Sequence, residues 1–214
     1  MHAALQAQAT YELDPFDEIR VSGNIELELI KGESESAVID ARSVNESDIK
    51  VEVEQGQLKI STLKKLFSDN ASITARVTYR QLRELDALAG ARVRAAEDIS
   101  GDKFELSAGS GAEVNLSFRV NSLEANASEG GRIQVKGETE SLDVNASTGG
   151  SFEGDKLPAR RTYVKASTGG RASVVALERI IATASLGGTI AYSGNPEKRE
   201  LKTNLAGDIY ESEM

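Results

Sequence analysis

Ala127-Ser128-Glu129-Gly130-Gly131, Ala146-Ser147-Thr148-Gly149-Gly150, Ala166-Ser167-Thr168-Gly169-Gly170 and Ala184-Ser185-Leu186-Gly187-Gly188 are four copies of one motif, Ala-Ser-x-Gly-Gly. Looser copies stand upstream at 87–91 and 108–112 and downstream at 203–207. Successive first glycines fall at 90, 111, 130, 149, 169 and 187, at intervals of 21, 19, 19, 20 and 18 residues. A period near twenty marks a chain that stacks one small unit on the next.

Aligned on the motif alanine, the inward candidates form columns. Two residues before it stand Leu85, Leu106, Ala125, Val144, Val164, Ala182 and Leu201; six after it stand Val93, Val114, Ile133, Phe152, Ala172, Ile190 and Ile209. Apolar and polar positions alternate around them, as in strands buried on one face. Each repeat therefore holds two clear short strands around a glycine corner, with room for a third. Twenty residues are too few for a strand–helix–strand crossover of ~30 or a propeller blade of ~40. The leucine and asparagine pattern of leucine-rich repeats is absent. The expected fold class is all-β, a single-stranded parallel β-helix of roughly 20 residues per coil. Seven coils at ~4.8 Å each make a rod roughly 34 Å long.

Composition narrows the chemistry. The 214 residues are 39% hydrophobic and 5% aromatic, as suits a narrow core of Ala, Val, Leu and Ile. A net charge of −9 opposes a phosphate-neutralising surface, so no nucleic acid is expected as partner. There is no cysteine, and His2 is the single histidine. That inventory builds no disulfide, no thiolate or histidine zinc site and no Ser-His-Asp triad. No cofactor or metal is expected. No stretch approaches the ~20 apolar residues of a membrane-spanning helix.

Residues 1–13 read as a flexible tail or signal-peptide remnant, because Ala7-Gln8-Ala9 has the small-residue form of a cleavage site. One β-helix domain is expected over 14–211, with irregular coils over 14–80 and the regular Gly-Gly coils over 81–211. Leu63-Lys64-Lys65-Leu66-Phe67 breaks the alternation and is expected to plug or flank an open end of the stack.

Phe16-Asp17-Glu18-Ile19-x-Val21-Ser22-Gly23-Asn24-Ile25, Val53-Glu54-Gln55-Gly56-Gln57-Leu58-x-Ile60 and the Ala-Ser-x-Gly-Gly coils together resemble the bacterial DUF2807 family, an autotransporter-adhesin family named for a head GIN domain. The resemblance spans about 14–211. It implies a right-handed parallel β-helix in an exported protein, placed in the periplasm, on the outer membrane surface or outside the cell. It carries no catalytic residues. An autotransporter also has a C-terminal membrane barrel, whereas this sequence stops after its last coil, so self-secretion is not expected.

Coil stacking aligns outward residues too. Three before the alanine stand Glu84, Glu105, Glu124 and Asp143, then Tyr163; one before it stand Asp86, Ser107, Asn126, Asn145 and Lys165. Four carboxylates ~5 Å apart repel one another. The column five after the alanine, Arg92, Glu113, Arg132, Ser151 and Arg171, mixes signs, whereas the acidic column has no such compensation within itself. Two readings stay open. One is a solvated acidic face, its repulsion screened by salt beyond ~8–10 Å. The other is a ligand-binding face made of Glu84, Asp86, Glu105, Glu124, Asn126, Asp143 and Asn145, suited to sugar hydroxyls or a cation.

The expected function is that of a non-enzymatic, adhesin-like or ligand-binding scaffold of the cell envelope. Its expected partners are a cell-surface glycan or an envelope protein. A polysaccharide-active enzyme is one alternative. A retaining glycosidase needs carboxyls ~5–5.5 Å apart, but every pair of adjacent coils supplies that spacing, so it does not discriminate. A structural module that self-associates through its coil ends or the Leu63–Phe67 segment is the other.

Overall fold

The computed structural model describes residues 7–42, 44, 46–62 and 72–212. The 63–67 segment, expected as a plug, lies outside the described residues. The first part of the chain forms β1 (Ala7–Glu12), β2 (Glu18–Ser22), β3 (Ile25–Lys31), β4 (Ser36–Arg42), β5 (Ile49–Glu54), β6 (Gln57–Thr62) and β7 (Ser72–Tyr79). The repeat region forms β8 (Glu84–Leu88), β9 (Arg92–Ala95), β10 (Ile99–Ala108), β11 (Glu113–Ala127), β12 (Arg132–Ala146), β13 (Ser151–Ala166), β14 (Arg171–Ser185), β15 (Thr189–Ser193), β16 (Lys198–Asn204) and β17 (Asp208–Glu211). All belong to one sheet that coils on itself into a parallel-rich β-solenoid of about seven turns.

The predicted columns stack. Ala127 pairs with Ala146, Ala146 with Ala166 and Ala166 with Ala184, and all four side chains are buried. The two short strands expected in each repeat merge with the third into one bent strand. In β11, Val114, Leu116, Phe118 and Val120 point inward, Asn121 and Ser122 both point outward, and Leu123, Ala125 and Ala127 point inward again. Two successive outward residues shift the alternation by one, and the coil bends there.

The Gly-Gly pair has two separate tasks. At Ser128–Gly131 the two central residues, Glu129 and Gly130, have φ of 51° and 74°, and the Gly131 N–H donates to the Ser128 carbonyl at 2.8 Å. This is a type I′ turn, whose second central position glycine fills without steric cost. The second glycine answers to its neighbour instead. A Cβ on Gly150 would lie 2.2 Å from the Ala127 carbonyl oxygen of the preceding coil. At the last corner Ala206 takes the first glycine's place, at φ 62°.

The first part of the chain stacks out of sequence order. Ile19 of β2 pairs with Leu58 of β6 on one side and Leu85 of β8 on the other. Leu27 of β3 likewise lies between Ala75 of β7 and Val93 of β9. The coil made first in sequence is therefore clamped between two made later. Antiparallel strands finish this end: β5 on β6, β4 on β7 and β1 on β4. Residues 7–12, expected in the flexible tail, thus form a strand. Tyr11 and Leu13 pack on the core and help hold it there.

The other end closes differently. In the last coil, Arg199 takes the inward place of Ile180 and Glu211 that of Tyr192. The Arg199 Nη1 donates to Glu211 Oε2 at 2.9 Å, Nη2 donates to Asn195 Oδ1 at 2.6 Å, and the guanidinium lies 5.8 Å from the Tyr192 ring centroid. An ion pair spans the opening where the coils below carry apolar side chains.

Candidate functional site

The acidic column is real and longer than the sequence shows. On the outward face of the ladder, Glu84 pairs with Glu105, Glu105 with Glu124, Glu124 with Asp143, and Asp143 with Tyr163. Below Glu84 the out-of-order strand β2 adds Glu18. Five carboxylates therefore stand in consecutive coils, each one ladder spacing from the next. Two like charges at that spacing cost about 1 kcal/mol even in bulk water. The parallel ladder holds their backbones in place against this repulsion.

The companion column runs beside it. Arg20 faces Asp86 at 3.9 Å, Asp86 pairs with Ser107, Ser107 with Asn126 and Asn126 with Asn145. The Asn145 Nδ2 donates to Asn126 Oδ1 at 3.2 Å. All seven predicted residues, Glu84, Asp86, Glu105, Glu124, Asn126, Asp143 and Asn145, thus share one outward surface on four adjacent coils.

The acidic column has no compensation within itself, but a neighbouring side chain supplies some: the Lys103 ammonium lies 2.9 Å from both Glu105 and Glu124 and bridges them. Hydrogen bonds to these two carboxylates hold the ammonium well above its ordinary value. At the lower end Arg83 pairs with Asp17 and Glu18, and the Gln57 Nε2 donates to Glu18 Oε2 at 2.9 Å. Lys103 sits at the coil bend, two residues before Glu105 and in register with Ser122 of the next coil, in a column other than the acidic one.

Two carboxyls lack such a bridge: Glu84, between the two, and Asp143, beyond the upper one. Burial raises Glu84 above its ordinary value, reinforced by repulsion from Glu18, Asp86 and Glu105 against a smaller pull from Arg83. Burial likewise raises Asp143, with repulsion from Glu124 adding and Lys165 opposing. Beyond Asp143 the column continues with the Tyr163 ring, which is 37% exposed and gives the acids a flat apolar neighbour.

Glu18, Gln57 and Arg83 were missed as members of the site. A signal for Glu18 was present: Glu18-Ile19-Arg20-Val21 has the same order of acid, apolar, polar and apolar as Glu84-Leu85-Asp86-Ala87. Glu18 lies 66 residues before Glu84 in sequence, because the coil between them folds underneath.

The fold and this surface define a parallel β-solenoid with fixed polar columns on its outer faces. The chain belongs to the DUF2807 family, described as "Putative auto-transporter adhesin, head GIN domain", which matches residues 15–196. Three solved structures share the architecture. One is described as a "putative adhesin" from Bacteroides fragilis, with a TM-score of 0.88 at 17% identity, covering 98% of each chain. Another "putative adhesin", from Parabacteroides distasonis, has a TM-score of 0.75 at 16% identity over 96% of each chain. A "Putative lipid binding protein" from Parabacteroides distasonis has a TM-score of 0.74 at 19% identity, over 97% of this chain and 96% of that one. At these identities the likeness is one of fold. No curated protein matches the chain.

Proposed function

We propose that this protein is a non-enzymatic, exported scaffold of the cell envelope that binds an external glycan or envelope protein in the manner of an adhesin. The observation that carries this reading is the in-register row of acids from Glu18 to Asp143, ending on the Tyr163 ring. The row spans five coils, roughly 19 Å, and its backbone cannot rearrange without opening the ladder. Such a surface is preorganised, so little ordering cost opposes a ligand that lies along it. Carboxylates and the Asn126–Asn145 amides offer acceptors and donors to hydroxyls, and the ring offers a face on which a sugar can stack. Family membership and the fold shared with proteins described as adhesins support the same reading. The pair Glu105 and Glu124 is occupied by Lys103, which leaves it poorly placed for acid–base work on a glycosidic bond.

The test is binding of the intact protein to arrayed cell-surface glycans and to purified envelope fractions, compared with E105Q/E124Q/D143N. The triple variant is expected to bind about tenfold more weakly, the equivalent of one charge-assisted hydrogen bond, at an undiminished melting temperature. Equal binding by both proteins removes this face from the reading. New reducing ends or unsaturated products released from a glycan, and lost in the triple variant, would replace the scaffold with an enzyme.

A further inference from the structure

A second outward face carries a different chemistry. Asn115, Gln134 and Glu153 stand in register on β11, β12 and β13. The Asn115 Nδ2 donates to Gln134 Oε1 at 3.1 Å, and the Gln134 Nε2 donates to Glu153 Oε2 at 3.2 Å. Each amide uses one N–H in this ladder and keeps another for solvent.

Immediately beside the ladder the stack is irregular. Gln134 pairs with Glu153 and Lys136 with Lys156, so Val135 alone faces both Gly154 and Asp155. Toward the next coil, residues 155–157 have no partner on β14, because Gly154 pairs with Val174 and Pro158 with Val175. This is a β-bulge, a device that re-aims side chains and recurs beside functional sites. It is built in rather than tolerated. A Cβ on Gly154 would lie 2.6 Å from the Phe152 ring, and Leu157 turns inward to full burial, which anchors the bowed segment.

The bulge opens a concavity of about 230 Å³ between the coils, lined by the ladder, by Asp155 and by Lys136 and Lys156. The two lysines are exposed and neighbour each other in register. Among the described residues neither takes part in an ion pair, unlike Lys103 on the acidic face. Two unpaired ammonium groups one ladder spacing apart favour an anion between them. The amides, Glu153 and Asp155 add donors and acceptors for hydroxyls. A bare inorganic anion would meet those two carboxylates with nothing to offer them. A hydroxyl-bearing ring that carries a carboxylate satisfies both halves.

We propose that this bulge is a binding site for an acidic saccharide unit, the uronate carboxylate held by Lys136 and Lys156 and the ring hydroxyls by Asn115, Gln134 and Glu153. It lies on a different face from the acidic column and does not depend on it.

Titration calorimetry of the whole protein with trigalacturonate, triguluronate and a triglucuronate, together with methyl-esterified trigalacturonate and sodium sulfate, tests the site. Saturable binding of at least one acid is expected. The neutral ester and K136Q/K156Q should each weaken binding by about tenfold or more, the value of one hydrogen bond to a charged group. N115A/Q134A should weaken it while leaving its salt dependence in place. E105Q/E124Q/D143N should leave it unchanged, which separates this site from the acidic face. No binding of any acid, equal binding of the ester, wild-type binding by K136Q/K156Q, or displacement by equimolar sulfate would overturn the proposal. Both lysines are outward and unpaired, so their replacement leaves the core intact and a melting curve verifies the fold.

Discussion

In the repeat region each coil is covered by its neighbours in sequence: β12 pairs with β11 and β13. In the first part of the chain, β2 and β3 are covered by β6 and β7 on one side and by β8 and β9 on the other. The first arrangement is close to one-dimensional, so its coils can loosen progressively from the free end. The second is a clamp. Its middle coil cannot leave until a later one has come away, which ties distant sequence into one cooperative unit. Stability in a solenoid thus depends on the order of stacking as well as on the quality of each layer.

The comparison can be broken most directly at Leu27, which is 1% exposed inside the clamped coil. Leu27→Ala is expected to cost about 3–4 kcal/mol in urea unfolding and to weaken amide exchange protection in β2, β3 and β6–β9 together. Leu123→Ala in the repeat region should cost a similar amount but speed exchange chiefly in its own and adjacent coils. Identical exchange patterns would mean that interlocking adds no cooperativity.

Gly150→Ala comes next. Its Cβ would collide with the Ala127 carbonyl, and separating the two coils is expected to cost about 2–3 kcal/mol, read as a lower denaturation midpoint. Gly149→Ala, whose added Cβ meets nothing within 4 Å, should cost less, through its φ of 74° alone.

Two substitutions should sharpen the repeat. The Thr162 hydroxyl is buried between Leu142 and Ile180 with no hydrogen-bond partner, so Thr162→Val is expected to stabilise by about 1 kcal/mol. Ala206→Gly relieves a left-handed alanine and should add about 0.5–1 kcal/mol. Both are read from thermal or urea melts.

The smallest effect lies in the acidic column. Folding raises the proton affinity of Glu84 and Asp143 above their ordinary values of 4.5 and 3.8. A carboxyl raised in the folded state opposes folding at neutral pH, and this penalty disappears as pH falls through the raised value toward the ordinary one. E84Q/D143N should therefore melt above the parent protein at pH 7, and the gap should close toward pH 4. A gap that stays constant with pH would remove the electrostatic origin.

The regular coils were legible because a type I′ corner demands glycine and close coil contact demands a second one, and these two constraints print a period. The Ala127, Ala146, Ala166 and Ala184 column and the outward row of Glu105, Glu124 and Asp143 follow from that period alone. The order of the first coils was not legible. Alternation in Ile25-x-Leu27-x-Leu29 reports that one face is buried and says nothing of which strand lies alongside. Glu18 was missed for that reason. Lys103 was missed for another: a long flexible side chain at a bend reaches two carboxylates on different coils, and no column position records its reach. The strand at 7–12 was hidden because its small and polar residues read equally well as an unstructured terminus.

A β-solenoid is by construction a growing polymer, since the top of one layer is a template for the next. At the Lys198–Glu211 layer that template carries a guanidinium and a carboxylate where a further molecule would need grease, and stripping water from such a pair costs several kcal/mol per ion. R199L/E211L is therefore expected to promote end-to-end association, read as a rise in scattered light with concentration that the parent protein does not show.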